Sequence, residues 1–199
     1  PCYSTRSRRF RANCPMNPPR FENHEVLLRT PRGAAQATPL LFVHGAYTAA
    51  WCWEEHFLPF FAEAGYAAYA LSLSGHGASP GRRHLDSFSI ADYVRDVAAV
   101  AAALPAPPVL IGHSMGGFVV QKYLEDQVAP GAVLMCAVPP QGLLSAAVGM
   151  MFSKPGMMKD LNSLLSGGRA SLDTLREALF AQEVSLEDLK RYYKGSQSE

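Results

Sequence analysis

"VLIGHSMGGFVVQKYL", residues 109–124, decides the fold. It opens as a short apolar run of strand length and closes with apolar residues at helical spacing, around Phe118, Val119, Tyr123 and Leu124. Between the two, a single serine sits among glycines. A chain that leaves a strand and enters a helix within a few residues of Ser114 makes a tight junction. Gly112 and Gly116, two residues to either side, take away the side chains such a junction would crush. Ser114 then has two readings: a nucleophile raised on a strained turn, or the N-cap of the helix that follows.

Working outward, the same alternation recurs. "HEVLLRT" (24–30) and "PLLFVHG" (39–45) read as strands, and "AWCWEEHFLPFFAEAG" (50–65) as a helix kinked by Pro59 and closed by Gly65. "YAAYALSL" (66–73) is the next strand, and it empties into the turn-rich "SGHGASPGRR". "SIADYVRDVAAVAAAL" (89–104) is an amphipathic helix with Ser89 as N-cap, and "AVLMCAV" (132–138) a further strand stopped by Pro139 and Pro140. Strand and helix alternating at this length imply an α/β fold: a mostly parallel sheet with helices on both faces. Residues 21–140 are the expected core, and 141–199 a helical segment broken by "KPG" and "SGG".

Composition agrees with one globular domain: 199 residues, 48% hydrophobic and 18% charged, with a net charge of +1 that gives no reason to expect nucleic acid as a partner. Five of the 18 basic residues fall within 1–20, which hold no acid, so the other 13 face all 17 acids. That basic N-terminal segment is expected to be disordered. Residues 1–15 precede Met16 and read as upstream sequence, although their arginine and serine content also has the flavour of an organelle transit peptide. Cys2, Cys14, Cys52 and Cys136 lack metal-site spacing, so no metal or other cofactor and no disulfide framework is expected, and a reducing, cytoplasmic setting fits. Apolar runs such as "VAAVAAAL" fall short of the roughly 18 residues of a membrane-spanning helix.

On "GHSMGG", on "FVHGA" two strands earlier, and on "GYAAYALSLSGHGAS" between them, the sequence resembles the α/β-hydrolase superfamily. Ser72 stands where many of those proteins have aspartate. The resemblance implies that Ser114 is a nucleophile, that the backbone N–H groups of Met115 and Ala46 form an oxyanion hole, and that the helical segment is a lid. "HGAYTAAWCW" is similar to plant methylesterase-like and hydroxynitrile-lyase-like members, which would have Trp51 and Trp53 line an acyl or aromatic pocket, with core packing as the plain alternative; His44, Gly45, Tyr47, Trp51 and His113 are the expected substrate-binding residues.

All six histidines, at 24, 44, 56, 76, 84 and 113, precede Ser114, so the family's order of serine, acid and histidine is not completed within these residues. His113 adjoins the nucleophile on a tight turn, where neighbouring side chains diverge, and His44 reads as turn-shaping. The chain is expected to be the N-terminal two-thirds of a serine hydrolase, with its activity in doubt for want of acid and base. Three functions stay open: a hydrolase of small acyl or lipid-like esters, an inactive binding protein that keeps the fold, or a relative with lyase, perhydrolase or acyltransferase chemistry. Met150, Met151, Met157 and Met158 suit an apolar lid or plain packing, and "DTLREALFAQEVSLEDLKRYY" reads as a solvated face. The strand at 132–138 is expected to leave an open sheet edge, and so a route to self-association.

Overall fold

Five short runs line up into one sheet that is fully buried at two of its inner strands and partly exposed at both edges. In the computed structural model, which describes residues 21, 23–142, 172–173, 176, 180 and 182–196, they are β1 (Val26–Arg29), β2 (Leu40–Val43), β3 (Ala68–Leu71), β4 (Val109–His113) and β5 (Ala132–Met135). Their order is β1-β3-β2-β4-β5, with β1 antiparallel to β3 and every other pair parallel. The helices are α1 (Trp51–Glu54), α2 (Phe57–Glu63), α3 (Ile90–Ala103), α4 (Met115–Asp126) and α5 (Leu186–Gly195). Among the described residues no helix is long and apolar enough to cross a membrane. The basic segment and Met150, Met151, Met157 and Met158 of the expected lid lie outside the described residues.

Strand β2 shows why the pattern is a continuous apolar run. Successive side chains point to opposite faces, so Leu41 and Val43 enter one core with Leu71, Val97, Val100, Leu110 and Val119. Leu40 and Phe42 enter the other, with Trp53, Leu58, Ala70 and Ile111. Helices α3 and α4 cover the first face; α1 and α2 cover the second.

Local chemistry sets the element ends. Ser89 caps α3 in a reciprocal capping box with Asp92. The stretch expected as one kinked helix is two, because the Pro59 ring has no N–H and collides with the carbonyl four residues back, at Glu55. The break falls at Glu55–His56, and Pro59 sits in the first turn of α2, where a missing N–H costs nothing. Strand β5 is shorter than expected. It stops at Met135 because Cys136 takes φ 45°, and Val138 turns its N–H to the Ser114 carbonyl at 3.1 Å instead of extending the ladder.

The C-terminal charged stretch is not simply a solvated face. Leu189 of α5 is buried, Arg191 and Tyr192 reach Glu55 beside α1, and Gly195 lies against the Trp51 indole.

Candidate active site

Ser114 is the single residue between β4 and α4, at φ 52° and ψ −117°, a backbone conformation that side chains rarely adopt. Neighbouring strands hold it there. Its N–H donates to the Met135 carbonyl at 3.0 Å, and its carbonyl accepts from Phe118 and Val138 at 3.2 and 3.1 Å. Its hydroxyl makes no capping bond to α4, so the N-cap reading of this serine does not describe it.

The flanking glycines answer to backbone contact. A Cβ on Gly116 would lie 2.3 Å from the His44 carbonyl oxygen and 2.4 Å from that of Val43, and one on Gly112 would lie 2.5 Å from the Gly116 oxygen. Backbone on both sides leaves nothing to move aside. Helix α4 is therefore seated directly on the end of β2, which brings the loop after β2 to the serine. A Cβ on Gly45 would fall 3.0 Å from the Ser114 Cβ and 3.1 Å from His113 Nδ1. Two stretches distant in sequence, "FVHGA" and "GHSMGG", thus meet at one point. No backbone acceptor among the described residues takes the N–H of Ala46 or of Met115.

His44 is fully buried, and its ring is held at both nitrogens. Nε2 accepts from the Leu73 N–H at 3.1 Å, and Nδ1 lies 2.7 Å from the Gly45 carbonyl oxygen, to which it must donate. The imidazole braces the loop and has no nitrogen left for a proton from Ser114. Thr48 adds a second brace, donating to the same Gly45 oxygen at 3.0 Å, and Tyr47 turns the loop at φ 63°. His113 is half-buried, and desolvation lowers its pKa below the usual imidazole value, so at neutral pH it is uncharged.

The tryptophans divide. Trp53 is core, packed on Phe42 with ring centroids 5.0 Å apart and edge-on to His113 at 6.4 Å. Trp51 lies between α1 and Gly195 of α5. The indole N–H of each is buried without a hydrogen-bond partner among the described residues.

Sequence reasoning missed one polar group behind this loop. Ser72 Oγ accepts from the Ala50 N–H at 2.9 Å and donates to Glu25 Oε2 at 2.5 Å. The available signals were a serine in a position where aspartate is common and an acid just before β1. A cleft of about 330 Å³ lined by Leu104, Pro107 and Val128 opens at the start of β4, the opposite end from Ser114, and has no part in the site.

The sequence pattern described as "Alpha/beta hydrolase family" matches residues 40–197. Esterase PIR7B of Oryza sativa subsp. japonica is 36% identical over 109 residues, 51% of this chain and 40% of that protein. Protein phosphatase methylesterase 1 of Bos taurus is 25% identical over 182 residues, 84% of this chain and 48% of that protein. A crystal structure of a lipase-esterase related protein from Clostridium acetobutylicum ATCC 824 superposes with a TM-score of 0.61 at 19% identity, covering 88% of this chain and 65% of the other, a likeness of fold. The chain thus spans less than half the length of these two curated relatives.

Proposed function

Since the chain belongs to the alpha/beta hydrolase family, we propose that it carries the nucleophile side of a carboxylic-ester hydrolase acting on small acyl or lipid-like esters. Ser114 Oγ attacks the ester carbonyl carbon, and the carbonyl electron pair moves onto oxygen. The N–H groups of Met115 and Ala46 receive that oxyanion, helped by the positive end of α4. The Ser114 proton passes through a general base to the leaving oxygen as the intermediate collapses, so the alcohol departs neutral and leaves an acyl-serine for water to cleave.

One observation carries the reading: Gly45 is pressed against Ser114 so closely that a Cβ there would sit 3.0 Å from the serine Cβ. That contact gives the loop and the helix start a common target. The names of the rice esterase and the bovine methylesterase support ester chemistry. Gly45, Tyr47, His113 and Trp51 border the substrate in this reading, and His44 acts by holding the loop. The proton acceptor is a group other than His44. A second reading, a binding protein without turnover, is favoured by that same engagement of His44 at both nitrogens. Among the described residues β5 pairs only with β4, and Val133 and Leu134 are exposed on its two faces, which supports association of copies through that edge.

The test is labelling of the chain with a fluorophosphonate and hydrolysis of p-nitrophenyl butyrate, each with Ser114→Ala beside it. Labelling mapped to Ser114, with slow hydrolysis lost in the variant, supports the hydrolase. Labelling at Ser114 without hydrolysis supports the binding protein. Labelling at another serine removes Ser114 from the site.

A further inference from the structure

The acid just before β1 is linked to the loop after β2 through one buried hydroxyl. Ser72 is fully buried at the end of β3. Its Oγ accepts the Ala50 N–H at 2.9 Å, so its single proton is free to point elsewhere, and it points to Glu25 Oε2 at 2.5 Å. The same carboxylate oxygen accepts from the Ala78 N–H at 3.1 Å. Glu25 is itself held by its backbone. Its carbonyl accepts from Ser72 N–H at 2.9 Å, and its N–H donates to Ser79 Oγ at 2.9 Å, which donates in turn to the Ser72 carbonyl at 2.6 Å. A Cβ on Gly77 would come within 2.1 Å of Glu25 Oε2 and 2.6 Å of Ser72 Oγ, so the loop after β3 leaves room for the carboxylate and for nothing more.

Ala50 is the residue at which the loop carrying Gly45 and Ala46 enters α1. The loop is thus fixed at its start by His44, in its middle by Thr48 and at its end by Ser72. A serine hydroxyl that both accepts and donates is oriented by its acceptor, and a charged acceptor orients it most firmly.

We propose that Glu25 is a positioning residue for the candidate site, acting through Ser72 on the Ala50 N–H to hold the loop of Gly45 and Ala46 against Ser114. Glu25 and Ser72 together do what one carboxylate at position 72 would do alone, since a carboxylate there accepts the Ala50 N–H directly. The proposal rests on the Ser114 reading for its effect on chemistry, but its geometric content stands without it.

The experiment compares the full chain with Glu25→Ala, Ser79→Ala and the double variant Glu25→Ala/Ser72→Asp. Hydrogen exchange at the Ala50 amide and the rate of fluorophosphonate labelling are read below each variant's melting transition. Glu25→Ala raises Ala50 exchange and lowers the labelling rate, each on the order of tenfold. Ser79→Ala removes a neighbouring hydroxyl that bonds backbone groups only, leaves the side-chain path Glu25–Ser72–Ala50 intact, and moves neither at matched stability. The double variant restores both. Equal effects of Glu25→Ala and Ser79→Ala, or no recovery in the double variant, overturn the proposal. A wild-type chain that resists labelling overturns the Ser114 reading instead, and the exchange data still decide Glu25.

Discussion

The Leu73 N–H donates to His44 Nε2 at 3.1 Å, which fixes the imidazole as the neutral tautomer with its proton on Nδ1. Nitrogen-detected NMR near neutral pH is expected to show exactly one protonated ring nitrogen for His44, Nδ1. His44→Phe fills the space but leaves the Leu73 N–H buried without an acceptor, at a cost of about 1–3 kcal/mol in urea denaturation. An Nε2–H tautomer, or a variant as stable as the parent, contradicts the brace.

Backbone strain at Ser114 should be measurable as stability. Left-handed geometry costs a residue with a side chain about 1–3 kcal/mol, whereas glycine adds only about 0.5–1 kcal/mol of unfolded-chain entropy. Ser114→Gly is therefore expected to raise unfolding free energy by about 1 kcal/mol. A lower melting temperature in that variant would mean that the serine side chain contributes more to the fold than its backbone costs.

Burial separates two thiols. Cys52 is pushed up to about 12 from its ordinary 9.0, chiefly by desolvation, so it holds almost no thiolate at about pH 8. Cys136 is exposed. Brief alkylation of the native chain followed by peptide mapping is expected to modify Cys136 and spare Cys52. The linkage has a definite sign. The folded state keeps the Cys52 proton while the unfolded state gives it up, so the contribution is intact below pH 9.0 and stability falls as pH climbs from 9.0 towards 12.

Docking of α5 should depend on its apolar contact more than on its ion pair. Arg191 lies 2.7 Å from Glu55, but the pair is solvent-screened at the surface, so Arg191→Ala is expected to cost far less than loss of the apolar contact. Leu189 is only 4% exposed, and Leu189→Ala is expected to cost about 2–4 kcal/mol. The Arg191 hydrogen bond holds the Glu55 carboxyl below its ordinary 4.5, so the pair's contribution is present above 4.5 and is lost as pH falls through the depressed value. Urea titrations of both variants near neutral pH check the ranking.

The fold was legible because buried parallel strands are short apolar runs bounded by proline and glycine, and "PLLFVHG" and "PPVLIG" are little else. The meeting of Gly45 with Ser114 was legible through two motifs of known order. What escaped depends on partners far apart in sequence. Glu25 and Ser72 are 47 residues apart, and neither has a local spacing that announces the other. Arg191 and Glu55 are 136 apart, so charges at helical spacing read as a solvated face although Leu189, between them, was turned inward. The early end of β5 was hidden for a related reason: "AVLMCAV" is uniformly strand-like, and only the demand of the Ser114 carbonyl for the Val138 N–H turns the chain away.

Four strands run parallel, so the sheet has two ends with different duties. Ser114 stands at one, and at the other the chain turns through residues 104–108 and 127–131, where Val128 is 92% exposed. Five residues of β4 at about 3.3 Å each put on the order of 16 Å between them. A tag, fluorophore or surface linker inserted at Val128 would therefore fix the molecule to a support by the end of the sheet remote from Ser114.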